Sequence, residues 1–260
     1  MANKAKDKKV KKQRPNKNLI IFTIILVIFL GLLFFLPVFN VTEINVSNNK
    51  KTSRADITDA SGIQVGNNIF RIVTPVSKGK IEALPYVKSA EVTKKYPSTI
   101  NISVEERETK YILAIDNSYL YIDDQGYTLE KSSVKNGSKI IIKDMELDEV
   151  EATPGNRLSE HNLIKLNDIS NILEESKLYY TDETKSTTIN SVINESTIDN
   201  YEYILYSEKE LKTIFIGNGE NLTLKMSNLQ SILNREKGNE GSIYLNMDFL
   251  KKYPYFSPKI

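Results

Sequence analysis

The run Leu19–Leu36, LIIFTIILVIFLGLLFFL, constrains the chain more than any other stretch. It holds eighteen residues without a charge, and Thr23 is its only polar side chain. At about 1.5 Å rise per residue a helix of this length reaches roughly 27 Å, close to the hydrocarbon thickness of a bilayer. A backbone in lipid must satisfy its own hydrogen bonds, so the run is expected to form one membrane-spanning helix, ended by Pro37. A cleaved secretory signal would carry a shorter apolar core and small residues at the cleavage site. This chain has Phe34-Phe35-Leu36-Pro37-Val38-Phe39 there instead.

Residues 1–18 carry eight Lys or Arg against Asp7, a formal +7, which leaves −5 on residues 19–260 of a chain that totals +2. A basic block without apolar periodicity is expected to stay unfolded and cytoplasmic, placing everything after residue 39 outside. The expected organisation is a basic tail at 1–18, a transmembrane helix at 19–39, modules at 40–107 and 108–250, and a tail at 251–260. Headgroup attraction is ordinary for such a basic tail, and nothing in it asks for nucleic acid.

Composition narrows the chemistry. The chain has no cysteine and one histidine, His161, so disulfides, thiolate zinc sites, thiol catalysis and multi-histidine metal sites are all excluded. No P-loop, GxGxxG or GxSxG sequence occurs. The acidic pairs Asp123-Asp124, Glu105-Glu106 and Glu174-Glu175 fall in turns or at strand and helix ends, and read as solvated surface rather than paired acid–base groups. The expectation is a protein that is not an enzyme, with no catalytic residue, metal or cofactor.

In residues 40–107, Val41–Val46 alternates as a short strand. Thr52 or Ser53 can cap a helix running through Ala60 and ended by Gly62, and a second helix runs from near Pro75 to Leu84. Val87–Lys94, a turn at Lys95–Ser98, and Thr99–Glu106 with Ile100, Ile102 and Val104 on one face then form two strands. The stretch Leu84–Arg107, LPYVKSAEVTKKYPSTINISVEER, resembles the closing signature of the POTRA domain in the FtsQ/DivIB family of bacterial cell-division proteins. In that family the phrase follows a strand and two helices just beyond a single membrane helix.

Residues 108–250 read as strands at Tyr111–Ile115 and Tyr119–Ile122, a turn at Asp123–Gly126 returning through Leu129, and a strand at Lys139–Lys143. Leu163, Leu166, Ile169, Ile172 and Leu173 mark an amphipathic helix over 162–175. Further strands are expected at Thr188–Ile193, Tyr201–Tyr206, Thr213–Ile216 and Leu222–Lys225. A helix around Leu229, Ile232 and Leu233 precedes a closing strand, Ser242–Met247. This order is similar to the family's β domain, whose closing IDLR is here Ile243-Tyr244-Leu245-Asn246. The expected fold class is α+β: a single N-terminal transmembrane helix, a POTRA (β-α-α-β-β) domain, and a curved β-sheet domain with helices. The proline-interrupted Lys251–Ile260 is expected as a flexible or docking extension.

The resemblance implies a non-catalytic bitopic scaffold of the divisome, concentrated at the septum and regulating septal peptidoglycan synthesis. Its implied partners are FtsB/DivIC and FtsL-type proteins and the septal peptidoglycan synthase complex. It implies docking at the closing strand, through Ile243, Tyr244, Leu245, Asn246 and Met247, with Phe249 as a neighbouring anchor. An incoming strand would add to an unpaired sheet edge there. Ile243 and Leu245 serve equally well as core. Lys94, Lys95 and Tyr96, at the turn of the first module, are the exposed candidates for other contacts, or a plain solvated turn. The alternative function is a membrane-anchored cell-surface sensor, which would need an apolar pocket within 108–250.

Overall fold

The computed structural model describes residues 17–32, 35–137, 140–143, 145–176, 187–193, 201–207, 210–249 and 251–260. Residues 1–16 of the basic tail, positions 33 and 34 of the apolar run, and the expected strand start at 139 lie outside the described residues. Helix α1 (Lys17–Leu32) has sixteen residues. Among the described residues no helix is long and apolar enough to cross a membrane. The side chains of α1 are nonetheless exposed on every face, Leu19, Phe22, Ile25 and Val27 among them. After it, Pro37–Phe39 makes a single 3-10 turn with proline at its start.

A three-stranded sheet follows. Its chain order is β1 (Glu43–Ser47), α2 (Arg54–Ser61), α3 (Thr74–Glu82), β2 (Val87–Lys95) and β3 (Thr99–Glu106). β3 lies in the middle, parallel to β1 and antiparallel to β2. The parallel pairing requires a crossover, and α2 and α3 lie within that connection. Of the two possible caps, Ser53 begins α2 by accepting the Asp56 amide, and Gly62 ends it at a φ of 69° that favours glycine. The alternation of β3 buries Ile100, Ile102 and Val104 against Ile57, Ile81 and Ile69. Glu106 closes the β1–α2 turn, accepting the amides of Lys50, Lys51 and Thr52 at 2.9, 2.8 and 2.8 Å. Burial pushes its carboxyl up, but the three amides outweigh this and hold it below the usual carboxylate range.

The rest of the chain builds a nine-stranded sheet. Its elements in chain order are β4 (Tyr111–Ile115), β5 (Ser118–Ile122), β6 (Thr128–Ser132), β7 (Ile140–Lys143), α4 (Glu160–Ser176), β8 (Thr187–Ile193), β9 (Tyr201–Ser207), β10 (Lys212–Gly217), α5 (Leu222–Arg235), β11 (Gly241–Tyr244) and β12 (Tyr255–Pro258). The order across the sheet is β12-β11-β10-β9-β8-β7-β4-β5-β6. Leu166, Ile169 and Leu173 of α4 and Leu229 and Ile232 of α5 pack on Leu113, Leu205, Ile214 and Ile243, which makes one continuous core.

Three sequence expectations are corrected here. Leu222–Lys225, expected as a strand, is the first turn of α5. Its short alternation is overridden by the longer period that places Met226, Leu229 and Leu233 on one buried face. The tail after residue 250 was expected as a flexible or docking extension; its flexible alternative does not hold, since Tyr255–Pro258 forms β12, paired along β11. Asp123 was expected on solvated surface; it is 2% exposed.

Asp123 is buried because it joins the two sheets. Arg107, just past β3, donates to its carboxylate at 2.7 Å and lies 3.6 Å over the Tyr127 ring. The other carboxylate oxygen accepts the amides of Gln125 and Tyr127 at 2.9 and 2.8 Å, which shapes the turn between β5 and β6. Beside this pair the Tyr86 hydroxyl donates to Glu130 of β6 at 2.7 Å. Burial, and then the Glu130 carboxylate, push the Tyr86 phenol well up.

Candidate partner-binding edge

The residues expected at the closing strand separate into core and surface. Ile243 and Leu245 are both 0% exposed and belong to the helix-covered core. The Leu245 amide still donates to Phe215 at 2.8 Å, so strand-like bonding continues past β11. Asn246 is exposed, and Met247 and Phe249 are half-buried. Gly217, at a φ of 72°, sits beneath Asn246, where an added Cβ would come within 2.9 Å of the Asn246 Cβ. Lys225 fastens that turn by donating to the Asn218 carbonyl at 2.7 Å, and burial pushes its ammonium down.

Tyr244 points to the face opposite Ile243 and is one rung of an aromatic ladder. Its ring stacks on Phe215 of β10 at 4.7 Å and on Tyr255 of β12 at 4.9 Å. Tyr255 is 49% exposed at the outer end. β11 is therefore not the boundary of the sheet. β10 pairs with it on one side and β12 on the other, so the main-chain groups expected to receive a partner are already bonded.

The outer boundary is β12, and its backbone is unusual. Lys259 donates its amide to Glu240 at 2.9 Å, which makes 240 and 259 a hydrogen-bonded pair of the antiparallel ladder. Such pairs alternate, so Ser257 and Tyr255 also turn inward, whereas Phe256 and Pro258 turn their main-chain groups outward. Proline has no amide hydrogen. The outward face of β12 thus offers a single main-chain donor, the Phe256 N–H, together with the carbonyls of Phe256 and Pro258.

β12 is seated closely. A Cβ on Gly241 would lie 2.3 Å from the Ser257 carbonyl oxygen and 2.6 Å from the Phe256 ring. The fully buried Lys212 donates to the carbonyls of Glu210 and Asn239 at 3.0 and 2.6 Å, and its ammonium lies 5.5 Å from the Phe256 ring centre. Sequence reasoning missed Tyr255, Phe256, Gly241 and Lys212. The available signal was the pair Pro254 and Pro258 around Tyr255-Phe256, since proline within a strand marks a sheet boundary.

Lys94, Lys95 and Tyr96 lie on the other sheet, at the turn between β2 and β3. Lys95 and Tyr96 are exposed, and Tyr96 stacks on Phe70 at 5.4 Å. Lys94 is half-buried, and burial pushes its ammonium down.

Residues 39–107 match the family model described as POTRA domain, FtsQ-type. The three-stranded unit is thus a POTRA-type domain within a mixed α+β protein. Beyond it, the chain is 29% identical to the cell division protein DivIB of Clostridium tetani over 231 residues, 88% of this chain and 83% of that protein. It is 29% identical to DivIB of Clostridium botulinum over 170 residues, 65% of this chain and 66% of the relative, just under two thirds. DivIB of Bacillus subtilis is 29% identical over 181 residues, 68% and 66% of the two chains. The chain thus carries an FtsQ-type POTRA domain and is similar over most of its length to proteins named cell division protein DivIB.

Proposed function

We propose that this chain is a membrane-anchored, non-catalytic scaffold of the division machinery that holds FtsB/DivIC and FtsL-type proteins and so regulates septal peptidoglycan synthesis. The anchor reading is supported by α1, apolar and exposed all round, in a run that continues in sequence to Leu36 behind a basic tail. A helix without a polar face has no stripe to turn toward water. On this reading the N-terminus is cytoplasmic, residues 40–107 and 108–250 are the outer POTRA and β domains, and the protein gathers at the septum. Its POTRA domain contacts the septal synthase complex.

The observation that carries the reading is the unpaired outer face of β12. Among the described residues it ends a nine-stranded sheet, carries Tyr255 of the aromatic ladder, and turns main-chain groups outward to which a strand could add. A partner strand added there must aim its carbonyl at the Phe256 amide, because the flanking prolines leave it no other donor. Tyr244, Asn246, Met247 and Phe249 then act as neighbouring side-chain contacts, while Ile243 and Leu245 support the strand from the core.

The test is capture of the outer part of a DivIC-type partner by the full chain and by a chain lacking residues 253–260. Addition outside β12 predicts that the deletion abolishes capture while the rest of the sheet stays folded. Stronger capture would mean that the partner takes the place of β12 on β11. Unchanged capture would move the contact to another surface.

A further inference from the structure

The link between α1 and the POTRA-type domain is short. The Leu36 amide donates to the Leu32 carbonyl at 3.2 Å and so stays beside the end of α1; from Leu36 to Val41 the chain can span at most about 17 Å, which the 3-10 turn at Pro37–Phe39 shortens. Val41 is fully buried, donating to Asn67 and accepting from Gly66, both at 2.8 Å. The Thr42 amide donates to Ser98 at 2.9 Å. The loop around Val65 and the turn around Tyr96 are thus bonded to the very residues that end the link.

Side chains continue the connection. The Arg71 guanidinium lies 5.1 Å from the Phe35 ring centre. Phe39 meets Phe70 edge-on at 4.9 Å, and Phe70 stacks on Tyr96. Around this aromatic row Val65, Val73 and Tyr96 are 67%, 59% and 57% exposed.

The same rim is basic. From Gly62 to Lys80 the charged residues are Arg71, Lys78 and Lys80, and the turn adds Lys94 and Lys95. Lys78 faces Glu82 at 3.7 Å, and Glu43 is the carboxylate beside the link. A cleft of about 470 Å³ between the loop and α3 is lined by Arg71 and Lys80 without a carboxylate.

We propose that this rim rests on the anionic surface of the bilayer that holds α1. Val65 and Tyr96 enter the headgroup layer, and Arg71, Lys80 and Lys95 pair with lipid phosphates. The proposal rests on the anchor reading and goes beyond it, since it makes the POTRA-type domain itself a membrane-contacting element. Three features commit the surface to lipid. The link is too short to carry the rim far from the bilayer. Its exposed tyrosine and valines suit the interface, where amphipathic rings collect. Its charge is complementary to acidic headgroups. Docking would fix the direction in which the second sheet projects.

The chain has no cysteine, so single labels are clean. The full chain, labelled with an environment-sensitive nitrobenzoxadiazole at Gln64→Cys, is placed in nanodiscs of phosphatidylcholine with and without phosphatidylglycerol. A second preparation carries the label at Leu26→Cys, within α1. The expected result is blue-shifted emission from the Gln64→Cys label, quenched by brominated lipid, in the anionic discs. Adding Arg71→Gln and Lys95→Gln should lower the docked-to-undocked ratio about thirty-fold, from the usual attraction per basic side chain. Water-like emission from this label in both discs, with an apolar Leu26→Cys label, overturns the docking and leaves the anchor standing. A water-like Leu26→Cys label overturns both. Docking that ignores lipid charge and the two substitutions overturns the proposal as well.

Discussion

Single carboxylates hold turns of this fold by accepting several main-chain amides at once. Glu106 is the clearest, since one carboxylate takes three successive amides and fixes the turn that starts α2. Its folded pKa is held below the ordinary carboxylate value, so its contribution is present above that value and is lost as pH falls through the folded pKa. Glu151 behaves in the same direction, where burial opposes and bonds from Ser159, Asn162 and Asp148 prevail. Glu106→Gln is expected to cost about 1–2 kcal/mol at neutral pH. It should also shrink the loss of stability on acidification, because the variant has no proton to take up at that site. Urea unfolding of the two chains at neutral and acid pH measures both effects.

At the scale of elements, β12 is the piece that decides how the sheet ends. Gly241 makes its seat, because any side chain there meets Ser257 and the Phe256 ring. Gly241→Val is expected to lift β12 at a cost of about 1–3 kcal/mol while β10 and β11 stay paired. Amide exchange should then show faster exchange at Tyr255 and Ser257 and unchanged exchange at Ile214 and Ile243. This element also marks where sequence reading stopped. The POTRA-type unit could be read because each signal is local: Ser53 and Gly62 bracket α2, Pro85 precedes β2, and Ile100, Ile102 and Val104 alternate in β3. The closing strand could be read for the same reason. β12 could not, because its four residues carry no clear alternation and its partner lies across a turn. Leu222–Lys225 misled because four residues fit either period. The candidate residues were half readable: alternation identified Ile243 and Leu245 against Tyr244, but which face was core depended on α4 and α5. Asp123 was missed because its partner Arg107 is sixteen residues away, beyond any local pattern.

At the scale of the molecule, the two sheets are joined through Arg107 with Asp123 and Tyr86 with Glu130. Arg107 and Asp123 are 10% and 3% exposed at the side chain, so removing one leaves the other buried without its counter-charge. Arg107→Ala is expected to cost about 3–5 kcal/mol, more than its share of apolar contact. It should also let the sheets swing, which distance measurements between labels on β2 and β5 would register as a broadened distribution. A fixed joint gives meaning to the short link at Leu36–Val41: whatever orients the POTRA-type domain at the bilayer also orients β12. On the scaffold reading proposed above, the protein would act by presenting an edge at the right place, which depends on such geometry.

Whether a partner strand adds outside β12 is tested most directly at the Phe256 amide. That N–H points away from β11, so it is expected to exchange quickly in the full chain alone. With a DivIC-type partner bound, addition outside β12 predicts that Phe256 becomes strongly protected while the amides of Tyr255 and Ser257, already bonded to β11, change little. Protection that leaves Phe256 fast, or that appears at the amides of β6 or β1 instead, would contradict it.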